Sequence, residues 1–311
     1  MRFVRRARHR PCAVVLLALT ALAGCRELPR WQPVALPSDR HGHRLERVAG
    51  GLLVCGGFST SAGAADHDSA ATLWLADGES EWRRLADMPS AHAFFGSTVH
   101  DGALHALGDG VLRCDGATHT WQSVVPAGQL PRSHFGSAQI DGVAYVLGGY
   151  PLERSAFWAV DLALRRVDPL PPPPGFRPGD HFHFLAAVNG ELHVLGGLDG
   201  EQFHPLREHW VLRAGTWVKQ PDPPAGLWQK FGGQALVAGG WHVFGEFGHW
   251  RYEPGTGAWT ERARMPYVVA MPATLVHAET IWVVGGMRSE STGRVLLAYD
   301  TTTDSWRDLS R

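Results

Sequence analysis

Long apolar runs are missing from this chain of 311 residues. The longest, residues 13–23, spans 11 positions and is too short to cross a bilayer as a helix. Charge is scarce as well, at 19% of residues, which disfavours long solvated helices, and no segment after the first two dozen residues has a helical period. Cysteine is rare: beyond Cys25 only Cys55 and Cys114 remain. Both sit in strand-like runs of different repeats, where buried free thiols are expected rather than a disulfide. Motif-level chemistry is missing too. There is no phosphate-cradling glycine loop, nucleophile elbow or catalytic triad, and no cofactor is implied.

Glycine (37) and tryptophan (13) are plentiful, a composition of short strands and turns. Residues 131–150 show the pattern most clearly. Two apolar runs, 138–140 and 143–147, flank Asp141-Gly142, a pair that tolerates positive φ and so marks a tight hairpin. The second run stops at Gly148-Gly149. The turn recurs at Ala49-Gly50, Asp101-Gly102, Asn189-Gly190, Ala238-Gly239 and Ala278-Glu279. Six residues after each turn's second member stands a glycine: Gly56, Gly108, Gly148, Gly196, Gly245 and Gly285. A second register carries Trp82, Trp121, Trp217, Trp259 and Trp306, with Val167 at the remaining place. An apolar or aromatic residue lies seven positions before each of these. Each repeat reads as four antiparallel strands, too apolar on both faces to stand alone.

Turn, glycine pair, aromatic and tryptophan in this order resemble the kelch repeat, in six copies over residues 31–311. The resemblance implies an all-β, six-bladed β-propeller with four antiparallel strands per blade and the first strand of each innermost. Residues 31–37 look like a seventh fourth strand, able either to close the ring against the last blade or to lie outside the count.

The start of the chain has a separate logic. Five arginines (Arg2, Arg5, Arg6, Arg8 and Arg10) precede the apolar run, and Leu22-Ala23-Gly24-Cys25 follows it. This resembles the lipobox of bacterial lipoproteins. It implies removal of residues 1–24 as a signal peptide, lipidation of Cys25, and a short tether over residues 25–30. Arg26, where inner-membrane lipoproteins often carry aspartate, points to the outer membrane, facing periplasm or exterior. The remaining chain would hold 24 basic and 30 acidic residues, net −6, with no basic stripe. Nucleic acid is therefore not an expected partner, the membrane is reached only through the lipid, and a monomer is expected.

In kelch propellers one face, built from blade-joining loops and second-to-third-strand loops, is the usual binding face. Sixteen residues before the marker glycines stand Arg40, His92, Arg132, Asp180, Gln229 and Val269. Three residues further come His43, Phe95, Phe135, His183, Gly232 and Pro272, and between them His41, His134, His181, Phe182 and Lys230. Superposing the copies places Arg40, His43, His92, Arg132, His134, Asp180 and His183 around the channel mouth as ligand-binding candidates. Forked guanidinium bonds and aromatic stacking would suit a protein or carbohydrate ligand. The same positions also suit hydrogen bonding to neighbouring blades. His181 and His183 share a strand face but lack a third ligand, so no metal site is assigned. The alternative is an enzyme: periplasmic kelch proteins include an N-acetylneuraminate mutarotase, whose proton transfers need a carboxylate and a cation. Glu246 with Arg132 or Arg40 would fill those roles here. A purely structural envelope role would need no pocket.

Overall fold

The computed structural model describes residues 34–58, 69–225, 227, 231–246, 248–288 and 294–310. Cys25, Trp31, residues 59–68, Gln229 and Lys230 lie outside the described residues.

Six four-stranded antiparallel sheets follow one another along the chain, each ordered as in the sequence. The innermost strands are Arg44–Val48, Gly96–His100, Gly136–Ile140, Phe184–Val188, Gly233–Val237 and Ala273–His277. Each touches the innermost strand of the next blade, and the first touches the sixth, so the ring closes. The sheets form a six-bladed β-propeller. The predicted hairpins stand in their predicted register, Val143 opposite Ile140 and Leu147 opposite Gly136. Asp141 and Ala238 take φ of 48° and 50°, the left-handed backbone that the turn demands.

Burial follows strand order. Second strands such as Gly51–Cys55 and Gly240–Gly245 are buried at every residue, because a blade covers each of their faces. Fourth strands such as Ala258–Glu261 are largely exposed at the rim. Cys55 and Cys114 are free and buried within one cluster joining the first three blades.

The marker glycines fasten neighbours together. Gly148 has φ 78°, and a Cβ there would lie 2.1 Å from the carbonyl oxygen of Asp180 in the next inter-blade segment. Only glycine lets the blades come so close. The N–H of Gly149 then donates to that carbonyl at 2.9 Å, and Gly57 and Gly286 donate likewise to His92 and Arg40 at 2.8 and 2.7 Å.

The tryptophans fasten neighbours in the other direction. The indole N–H of Trp121 donates to Thr72 of the preceding blade at 3.1 Å. Those of Trp217 and Trp306 donate to the carbonyls of Pro171 and Ala263, on the chain leaving the preceding blade, at 2.9 and 2.8 Å. In the first blade Trp82 reaches the carbonyl of Val34 at 3.4 Å. Val34, Ala35 and Leu36 pack in the cluster shared by blades one and six. The described part of the stretch at 34–36 therefore adds no strand to any sheet. It occupies the place that an incoming connector takes elsewhere, across the seam of the ring.

Candidate functional site

At the top of each blade the chain turns inward before entering the innermost strand. The residues nearest the axis are Gly42, Phe94, His134, Phe182, Phe231 and Met271, all left-handed with φ between 55° and 65°. Among the described residues, backbone hydrogen bonds join five of the six neighbouring pairs. Phe94 N–H donates to Gly42 at 2.8 Å, His134 to Phe94 at 2.7 Å and Phe182 to His134 at 2.8 Å. Met271 donates to Phe231 at 2.6 Å, and Gly42 to Met271 at 2.9 Å. Side chains rarely adopt this backbone, and non-glycine residues held in it concentrate at functional sites. Gly42 is the one gap, filled by the Phe94 ring, which a Cβ at Gly42 would meet at 2.5 Å.

Above this ring lies a bowl of about 510 Å³ walled by aromatic and imidazole rings and two methionines, Met271 and Met287. Its rings touch in series: Phe58 and Phe94 at 5.1 Å, Phe94 and His134 at 4.7 Å, His134 and Phe182 at 4.8 Å, Phe182 and Phe231 at 4.6 Å. Phe203 stands on the rim, 54% exposed, edge-on to His181. Its loop is held by Asp199, whose carboxylate accepts the N–H groups of Glu201, Gln202 and His204.

Below the ring, a throat past Arg44, Phe182 and Phe231 leads to a chamber of about 250 Å³ in the channel. Its polar lining is Arg44, Glu46, Ser97, Ser137, His183, Gln234 and Thr274. Burial holds the Arg44 guanidinium below its ordinary range and raises the Glu46 carboxyl, which accepts the Ser97 hydroxyl at 2.6 Å.

The residues expected at the mouth separate into two groups. Arg40 is buried, with its guanidinium donating to the Gly56 carbonyl and to Ser69. His92 is buried beside the Ser90 hydroxyl at 2.8 Å. Asp180 is buried too. Its carboxylate accepts the N–H groups of Arg177 and Gly200, and burial raises its pKa. His43 and His183 are buried, but His43 borders the throat and His183 the chamber. The His183 ring lies 2.6 Å from the Gly196 carbonyl, and burial lowers its pKa to about 4. His134 belongs to the ring itself and lines the bowl. Arg132 is exposed in the segment entering the third blade, and Glu246 is exposed in the turn after Gly245, at the same end of the disc. Among the described residues no three His, Cys, Asp or Glu side chains cluster as metal ligands would.

Sequence reasoning passed over Phe94, Phe231 and Met271 on the ring, and Arg44 and Glu46 in the chamber. A signal existed for the last two. At the register of Arg44 the other blades carry Gly96, Gly136, Phe184, Gly233 and Ala273, and at that of Glu46 they carry Thr98, Ala138, Ala186, Ala235 and Leu275. Two charged residues stand where five blades have none.

Residues 270–311, the sixth blade, match the Kelch motif. Human Kelch-like protein 34 is 26% identical over 214 residues, covering 64% of this chain and 33% of that protein. Mouse Kelch-like protein 35 is 25% identical over 198 residues, covering 60% and 33%. The chain thus spans about a third of the length of these curated relatives. The solved structure of YjhT superposes with a TM-score of 0.71 at 11% identity, covering 89% of this chain and 99% of that one. At that identity the likeness speaks for the fold alone. Together these likenesses support a kelch-repeat propeller.

Proposed function

We propose that this kelch-type propeller is a recognition module of the bacterial envelope, held to the outer membrane through Cys25, whose bowl takes an apolar side chain of a protein partner. The observation that carries the reading is the continuous wall of rings around a hydrogen-bonded mouth. Most of the polar candidates nearby are buried against backbone, so the exposed recognition surface is aromatic. Rigid aromatic pockets of this kind anchor large apolar side chains and lose little entropy in doing so. A displayed peptide library selected against the purified protein tests it. Enriched peptides are expected to share an aromatic or aliphatic anchor and to lose binding at least tenfold on Phe203→Ser or Phe182→Ser. Leu236→Ser, an exposed position on the innermost strand of blade five, is expected to leave binding unchanged. Peptides insensitive to both bowl substitutions would overturn the reading, and capture of glycans alone would make the ligand a carbohydrate.

Sugar mutarotation is the second reading, favoured by the exposure of Glu246 and Arg132 at one end of the disc. A carboxylate and a guanidinium there could pass a proton between anomeric hydroxyl and ring oxygen. Glu246→Gln should then abolish anomer exchange, followed by NMR, without changing the melting temperature.

A further inference from the structure

The chamber under the ring holds polar groups that the protein itself leaves unanswered. Gln234 and Thr274 are committed: Gln234 donates to the Leu185 carbonyl at 2.7 Å and accepts from Trp241 at 3.1 Å. Thr274 donates to the Gln234 carbonyl at 2.7 Å. Arg44 is different. Its Nε donates to the Phe95 carbonyl, which fixes the plane of the guanidinium, while its two terminal nitrogens have no acceptor among the described residues. Glu46, two residues along the same strand, takes the Ser97 hydroxyl on one oxygen and has no donor for the other. Ser137 also borders the chamber, and its hydroxyl has no partner among the described residues.

Arg44 and Glu46 are close enough for each to favour the charged form of the other, yet they make no salt bridge with one another. Opposite charges withdrawn from bulk water and not closed on each other are costly to a fold. Neutral residues at the same registers in the other five blades show that the propeller does not need charge there. A ligand with two opposite charges of its own would satisfy both.

We propose that the chamber binds a free apolar α-amino acid as its zwitterion. The α-carboxylate takes the forked terminal nitrogens of Arg44, and the α-ammonium donates to the open oxygen of Glu46 and to Ser137. The side chain points up into the throat, against Phe182 and Phe231. The volume, about 250 Å³, is below that of drug-sized pockets and is in keeping with a single amino acid. This site lies below the bowl and shares Phe182 and Phe231 with it, but the proposal does not rest on the bowl reading.

Thermal unfolding of the full chain with L-leucine or L-phenylalanine tests the proposal. A bound ligand raises the melting temperature by mass action. At least one amino acid is expected to raise it saturably, while N-acetyl-leucine, which lacks the ammonium, and leucinamide, which lacks the carboxylate, bind at least tenfold more weakly. The double variant Arg44→Gln/Glu46→Gln removes both charges at nearly constant volume. It is expected to fold with an unliganded melting temperature at or above that of the wild type and to lose the amino-acid response. Phe203→Ser on the bowl rim is expected to keep that response, which separates this site from the peptide site. Equal binding of the blocked compounds, an equal response to acetate alone, or no response to either amino acid at 10 mM would overturn it.

Discussion

Lowering the pH should unfold this propeller from inside its fourth and fifth blades. In the fifth, His249 Nδ1 faces the Ala263 carbonyl at 3.1 Å. A carbonyl can only accept, so that nitrogen carries the hydrogen. His249 Nε2 must then accept from His242 Nδ1, 2.8 Å away. In the fourth blade His193 Nδ1 and His209 Nε2 form a second such pair at 2.9 Å, without the carbonyl partner. All four are buried, and burial pulls His193 and His249 down to about 4 and His209 and His242 to about 3. In the unfolded chain each titrates near 6.5, so between that pH and about 4 the unfolded state binds more protons and stability falls as pH falls. From pH 7 to pH 5 the loss is about 2 kcal/mol or just under per histidine, roughly 7–8 kcal/mol for the four, comparable with the whole stability of an ordinary domain. Urea unfolding at pH 7, 6 and 5 reads it directly. Proton uptake on unfolding near pH 5.5 should be about 3 to 4 protons from these residues. The double variant His242→Gln/His249→Gln should lower it by about 2. Stability that stays level from pH 7 to pH 5, or an uptake unchanged in that variant, would refute the reasoning.

Leu36→Ala should destabilise the protein by about 2–4 kcal/mol in urea titration, since Leu36 is 2% exposed in the cluster that joins blades one and six. Native protein should react with maleimide at neither Cys55 nor Cys114, because burial pushes both thiols up, Cys114 to about 12, and labelling of both should appear on unfolding. Cys25→Ser should remove the lipid mass from the chain recovered from membranes and release the protein to the soluble fraction. An unchanged mass would rule out lipidation at that residue.

The architecture was legible in the sequence because it is periodic. Six hairpin turns at a constant distance from six glycines leave little freedom, and Asp141, Asn189 and Gly148 take the backbone that their chemistry predicts. The site was legible only in outline. Superposing the repeats brings the right segments to the mouth, but it cannot say which residue of each faces inward. The left-handed turn at His134 and Phe182 directs those side chains to the axis, while Asp180, two residues before Phe182, is buried away from it. Arg44 and Glu46 were hidden for a different reason. They lie in a strand whose partners in other blades are unremarkable, so only a comparison across repeats, position by position, exposes them. The stretch at 31–37 resembles a strand in composition, yet its described part pairs with no sheet, because every position in the sixth blade is already taken by the chain up to Asp308.

That unpaired stretch gives the disc a mechanical weak point. The closing clasp of the ring, at 34–36, is the described piece of chain nearest the proposed lipid attachment, while every other junction is bridged by continuous polypeptide. Under the proposed anchoring, tension between membrane and disc would load this clasp first, peeling Leu36 from its cluster and parting the first wedge from the last before any sheet tears.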